Sequence, residues 1–129
     1  MRSRQQCLDE LEGKEWEPPD YGSHLVRTCH QLRKKPIGEF TIEDLRIMIG
    51  QQIGLGFLIP LALDEIEQNP LAEGDFYPGD LLVSVLRVDL SFWRGHREWR
   101  ARLERVINSP EGMPEEITEQ VEQFRRRTA

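Results

Sequence analysis

Apolar residues recur along this chain at helical rather than strand spacing. Leu25, Cys29 and Leu32 fall at i, i+4 and i+7, and the same interval repeats in Trp99, Leu103 and Val106 and in Ile117, Val121 and Phe124. Each triplet therefore lies on one face of a helix. The start and stop signals agree. Ser23 stands where the first of these segments needs an N-cap. Pro114-Glu115-Glu116 opens the last and Arg125-Arg126-Arg127 closes it, with acids at the positive end of the helix dipole and bases at the negative end. Phe40-Thr41-Ile42-Glu43-Asp44-Leu45 predicts a third start: Thr41 accepts from the amides of the first turn, Asp44 returns the bond, and Phe40 staples onto Leu45.

The helix begun at Ile42 runs through Ile49 and stops between Gly50 and Gly56, glycines that end one helix and let the next pack closely. An apolar run from Phe57 to Leu63 follows and the segment ends at Asn69-Pro70; Pro60 within it requires a first turn or a kink. The run from Leu81 to Val88 carries β-branched residues that suit a strand. Asp80 as a cap and the Leu82, Val85, Leu86 face make it a helix in our reading. The opening, from about Ser3 to Leu11, shows only the narrow stripe Cys7, Leu8, Leu11 before Gly13 and the Pro18-Pro19 break. The expected fold is all-α: a single compact domain over residues 1–129, built of about six or seven short helices, with disordered ends at 1–6 and 126–129.

Composition narrows the function classes. No apolar run approaches the roughly 20 residues of a membrane-spanning helix. The N-terminal Met1-Arg2-Ser3-Arg4 leads into an acidic stretch rather than an apolar secretory core, so a cytoplasmic location is expected. Cys7 and Cys29 have apolar neighbours and lack metal-site spacing, and they are expected as buried free thiols. The net charge of −6 argues against nucleic acid as partner, because phosphate binding runs on basic surface. The charge is also uneven: residues 39–89 hold ten acids against two bases, a local charge of −8, while the flanks are slightly basic.

Candidate chemistry is sparse. His24 and His30, six residues apart, do not share a helical face, His96 is remote, and adjacent Ser23 and His24 diverge on a helix, so neither a metal site nor a catalytic dyad is expected. Gly50, Gly54 and Gly56 lack the Gly-Lys-Ser/Thr of a phosphate loop. Arg94, Arg97, Arg100, Arg102 and Arg105, beside Trp93 and Trp99 and interleaved with Glu98 and Glu104, read as a solvated helix face with internal pairs rather than a nucleic-acid surface. Glu73-Gly74-Asp75-Phe76-Tyr77-Pro78-Gly79-Asp80 is different, since turn formers surround two aromatics and three acids. One reading is an ordered turn whose Phe76 or Tyr77 plugs the core while its acids cap the next helix. The other is a recognition loop, since aromatic anchors beside charges dominate interface energetics. The two are compatible if one aromatic faces inward while Glu73 and Asp75 face a partner.

The string Glu43-Asp44-Leu45-Arg46-Ile47-Met48-Ile49-Gly50-Gln51-Gln52-Ile53-Gly54-Leu55, followed by Ile59-Pro60-Leu61-Ala62-Leu63, Asn69-Pro70-Leu71-Ala72-Glu73-Gly74-Asp75-Phe76-Tyr77-Pro78-Gly79-Asp80 and Val85-Leu86-Arg87-Val88, closely resembles the immunity proteins of bacterial contact-dependent growth inhibition (CDI) systems. The resemblance covers roughly residues 23 to 93, with Ser23 to His30 and Phe92-Trp93 also at family positions; the tail after about Val106 matches no known motif. It implies a small cytoplasmic protein, not an enzyme and without cofactor or metal, that binds the toxic C-terminal domain of a cognate surface effector. Many such toxins are nucleases with basic channels, which an acidic helical surface would suit. On this reading Glu65, Glu73, Asp75, Phe76, Tyr77 and Asp80 are the candidate toxin-binding residues of a monomer or weak dimer, with no nucleic acid or membrane as partner. Composition alone also allows a helical adaptor unrelated to toxins, or a small hydrolase whose residues assemble only in the fold.

Overall fold

Side-chain caps start two of the helices in the computed structural model, which describes residues 2–14, 23–108 and 113–128. The Pro18-Pro19 break lies outside the described residues. A 3₁₀ turn, Arg2–Gln5, precedes α1 (Leu8–Glu12), and a second, Ile37–Glu39, joins α2 (His24–Leu32) to α3 (Ile42–Gly50). Then come α4 (Leu55–Gln68), α5 (Asp80–Leu86), α6 (Leu90–Arg94), α7 (Arg97–Ile107) and α8 (Glu115–Thr128). The fold is all-α, as the periodicity predicts, with eight α-helices among the described residues. The five-residue α6 is the addition. Residues 2–5 and 126–128, which composition suggested as disordered ends, lie in the first 3₁₀ turn and the last turn of α8.

The caps predicted at Ser23 and Thr41 form. Ser23 Oγ accepts from the Val26 amide at 3.3 Å. At α3 the box is reciprocal: Thr41 Oγ1 accepts from the Asp44 amide at 3.1 Å and the Asp44 carboxylate accepts from the Thr41 amide at 3.0 Å. Both bonds are solvent-exposed, so Thr41→Ala is expected to lower stability by about 1 kcal/mol. Thermal melting checks this, and an unchanged midpoint would contradict it. The stripe read over Ser3–Leu11 is not one helix, because Cys7 is extended and caps α1, its amide donating to Glu10 Oε1 at 3.1 Å.

Pro60 sits neither in a first turn nor at a boundary; it lies six residues into α4, half-buried. Lacking an amide, it leaves the Gly56 carbonyl, near the solvent-exposed start of the helix, without its usual partner. Gly54 ends up doing what the glycines between α3 and α4 were expected to do. At φ +66° it caps α4 in the left-handed region, and a Cβ there would lie 2.8 Å from the Leu8 methyls. That space lets α1 seat Leu8, which is fully buried.

The core is layered around α3, α4 and α5: α3 packs on α5 and α4, α4 on α7, α5 on α8, and α2 on α3. In α5 every residue except Ser84 is buried. A helix apolar all round belongs inside, which explains why its sequence also looked like a buried strand. Leu103, Val106, Ile117, Val121 and Phe124 join the core, whereas Leu25 is 39% exposed and Trp99 half-buried. On α2 only Cys29 and Leu32 of the apolar triplet face inward. Cys7 and Cys29 are buried free thiols, and burial pushes the Cys29 thiol up.

Charged side chains tie the elements together. The wholly buried Arg33 donates to Asp9 Oδ1 at 2.8 Å and pairs with Glu12 at 2.5 Å, fastening α1 to the end of α2. Arg102 bridges α7 to α4 through Asp64 at 2.7 Å and Glu67 at 2.6 Å. This corrects the reading of the arginine-rich segment as internally paired, since within α7 only Arg100–Glu104 approaches, at 3.9 Å. Near the end of α8, Arg127 donates to the Leu86 carbonyl at the last turn of α5.

Candidate functional site

The segment between α4 and α5 is an ordered loop pinned from two sides. Asn69 turns the chain, its side-chain oxygen accepting from the Leu71 amide at 3.1 Å. Glu73 and Pro78 then face each other in an isolated antiparallel bridge that closes the loop at its neck. Gly79, at φ +90°, is the N-cap of α5, so Asp80 becomes the first helical residue and not the cap. Its carboxylate turns back into the loop and accepts from the Gly74 amide at 2.7 Å and the Phe76 amide at 3.1 Å.

From the other side, α3 supplies a buttress that the sequence does not announce. Glu43 Oε1 accepts from the Asp75 amide at 2.9 Å and from Arg46 Nε at 2.6 Å. Arg46 closes the fork through its second nitrogen to Glu43 Oε2 at 2.5 Å, stands 3.8 Å from Asp80 and lies beneath the Phe76 ring, 4.3 Å from its centroid. The hydrogen bond from Arg46 holds the Glu43 carboxyl below its usual range, and the same bond raises Arg46. Gly74 lets both carboxylates come close: a Cβ there would lie 2.5 Å from Glu43 Oε1 and 3.1 Å from Asp80 Oδ2 and would push these groups aside. Three charged groups thus meet beneath the loop and hold three successive backbone positions.

Against this fixed backbone the two aromatics point outward. Phe76 is 68% exposed and Tyr77 43%, so neither plugs the core as the ordered-turn reading allowed. Glu73 and Asp75 are exposed beside them. Asp80, by contrast, is only 3% exposed; it shapes the loop and presents no charge to a partner. Glu65 is exposed on α4, in a depression with Arg4, Gly38, Phe40 and Asp64, apart from the loop. Of the six candidate residues, the fold brings Glu73, Asp75, Phe76, Tyr77 and Asp80 into one loop and leaves Glu65 elsewhere.

The acidic block is likewise divided. Glu43 and Asp80 meet Arg46, Asp44 meets Lys35 at 2.7 Å, and Asp64 and Glu67 meet Arg102. Asp89 is held by Gln52, whose side chain donates to it and accepts from its amide, both at 3.1 Å. Among the described residues Glu39, Glu65, Glu73 and Asp75 form no ion pair. The acids without an ion pair therefore sit at a few exposed positions, two of them on the loop, where Asp75 still feels the charge of Arg46.

The histidines stay apart from this site. His24 opens α2 and lies 3.4 Å from Thr28 Oγ1, while His96 stacks on Trp99 at 4.4 Å and on Phe92 at 4.3 Å between ring centroids. Among the described residues no three His, Cys, Asp or Glu side chains are placed to hold a metal ion.

A helical scaffold that fixes an exposed aromatic and acidic loop has the form of a protein-binding module. The family is specific: the model of the CDI immunity proteins matches residues 10–103, and the chain belongs to that family. It is accordingly an immunity protein for a toxin of contact-dependent growth inhibition. No curated protein and no solved structure matches it. No helix of the described residues is long and apolar enough to cross a membrane.

Proposed function

We propose that this immunity protein works in the cytoplasm, as a monomer or weak dimer, by binding the C-terminal toxin domain of its cognate effector one to one and masking it. The loop over residues 73–80 is its anchor. The observation that carries this reading is the pair of exposed aromatics on a backbone held by Asp80 and Glu43. Side chains such as Phe76 and Tyr77 supply large contact area, and a loop already ordered in the free protein loses little entropy when it binds. Exposed Glu73 and Asp75 suit a basic toxin surface, such as the substrate channel of a nuclease. No catalytic step is needed from the immunity protein itself.

The experiment is co-expression with the cognate toxin domain followed by surface plasmon resonance. Wild type should rescue growth and bind at unit stoichiometry. Glu73→Lys with Asp75→Lys should melt as wild type yet associate about tenfold more slowly at low salt. The difference should fade toward 1 M salt, where the screening length falls to roughly 3 Å. A folded double variant that associates at the wild-type rate at low salt removes the loop from the recognition face, and rescue without binding removes masking.

A further inference from the structure

Beside the loop lies a groove whose second wall comes from the far end of the chain. Tyr77 and Pro78 form one side, and Pro114, Glu116 and Ile117 of the α8 start form the other, enclosing about 440 Å³. The two walls are in direct contact beneath it: a Cβ on Gly79 would lie 2.8 Å from Ile117 Cδ1, so the loop neck and α8 are packed against each other. The α8 backbone at this wall is fixed by the Ile117 and Thr118 amides, which donate to the Pro114 carbonyl at 3.1 and 3.0 Å.

The lining is chiefly apolar, and among the described residues its one charged member is Glu116. Glu116 lines the groove, Glu115 is exposed beside it, and the bridge between Glu73 and Pro78 sets Glu73 at the opposite edge. Among the described residues none of these three carboxylates forms an ion pair, and no cation lines the groove. The N-terminus of α8 contributes roughly half a positive charge, which two carboxylates in its first turn exceed.

A group with an apolar stem and a cationic head meets both requirements. We infer that the groove receives a lysine or arginine side chain of the toxin, its methylenes against Tyr77, Pro78 and Ile117 and its charge at Glu116. Long basic side chains bury their stems on apolar surface while keeping the head at a polar rim, and a tyrosine ring face adds to the attraction. This rests on the reading of the loop as the toxin anchor and extends that contact to α8.

The test is surface plasmon resonance of the cognate toxin domain on Glu116→Lys, Glu116→Gln and Phe76→Ala. Glu122→Lys serves as a control on the same helix, since Glu122 lines a different hollow with Met113, Val121 and Arg125. Glu116 is exposed, so its variants should fold, Glu116→Gln melting near wild type and Glu116→Lys slightly lower because it puts a cation at the positive end of α8. Glu116→Lys should raise Kd at least tenfold, mainly through faster dissociation, Glu116→Gln should raise it less, and Glu122→Lys should change it less than twofold. Wild-type Kd for both Glu116 variants, with weakened binding by Phe76→Ala, overturns the groove contact while leaving the loop reading standing. Wild-type Kd for Phe76→Ala as well overturns both. A dimer in light scattering that Glu116→Lys converts to monomer assigns the groove to a second copy and also overturns the inference.

Discussion

Arg33→Ala is expected to lower stability by about 3 kcal/mol, and so to drop the melting midpoint by roughly 10 °C in a domain of this size. The guanidinium is 1% exposed and joins Asp9, Glu12 and the Lys14 carbonyl, the last at 3.2 Å. Removing it leaves a cavity and strips the half-buried Asp9 of its closest partner, although Lys34 at 3.1 Å still faces that carboxylate. Arg33→Met keeps most of the volume and isolates the charge. Arg33→Lys should not rescue, because an ammonium lacks the planar fork that reaches several acceptors at once.

Acid gives this pair a signature. Burial alone would raise the Asp9 carboxyl, but the bonds from Lys34 and Arg33 outweigh it and hold it below its ordinary value of 3.8. A carboxylate depressed in the folded state contributes stability that is present above its unfolded value and lost as pH falls through its folded value. The gap in melting midpoint between wild type and Arg33→Met should therefore be widest near pH 6–7 and close as pH drops below about 4. A gap independent of pH would assign the effect to packing alone.

Much of the helical framework could be read locally, because caps and periodicity act within a few residues. The Thr41–Asp44 box and the acid-first, base-last pattern of α8 appear in the fold as the sequence states them. The five-residue α6 escaped because one turn and a half sets up no period, even though it buries Trp93 completely. Leu25 misled for the complementary reason: spacing defines a face but not how far the neighbouring helix extends to cover it.

The candidate site was legible as a place and not as a mechanism. Its aromatics and acids stand together in the sequence, but what fixes them comes from α3, with Glu43 bonding an amide 32 residues away. Nothing in the spacing of Glu43 and Arg46 distinguishes a loop buttress from an ordinary i,i+3 pair on a helix surface. The same nonlocality brings Lys35 and Arg102 from outside the acidic block onto Asp44, Asp64 and Glu67, so the local charge of −8 is only partly offset. The α8 wall of the groove is more distant still, in a tail that carries no motif.

Asp80 shows most directly how the fold reassigns a residue. It reads as a helix cap or a partner contact, yet Gly79 takes the cap position and sends the carboxylate inward to the Gly74 and Phe76 amides. Asp80→Ala removes two charge-assisted hydrogen bonds from a buried acceptor and weakens the hold of the loop on Arg46, a loss of about 3 kcal/mol. Asp80→Asn keeps the shape, but its side-chain amide turns a donor toward backbone donors, so it should recover only part of that loss. If the loop is the toxin anchor, both variants should also speed dissociation, because disordering Phe76 and Tyr77 adds an entropy cost to every encounter. Tyr77→Ala separates the two effects, since it removes an anchor from an exposed position while the backbone bonds remain. The measurement is amide hydrogen exchange at Gly74 and Phe76 alongside toxin dissociation rates. Fast exchange and fast dissociation are expected for Asp80→Ala, and protected amides with fast dissociation for Tyr77→Ala. Protected amides and wild-type dissociation in folded Asp80→Ala would show that the loop holds its shape without the buried carboxylate.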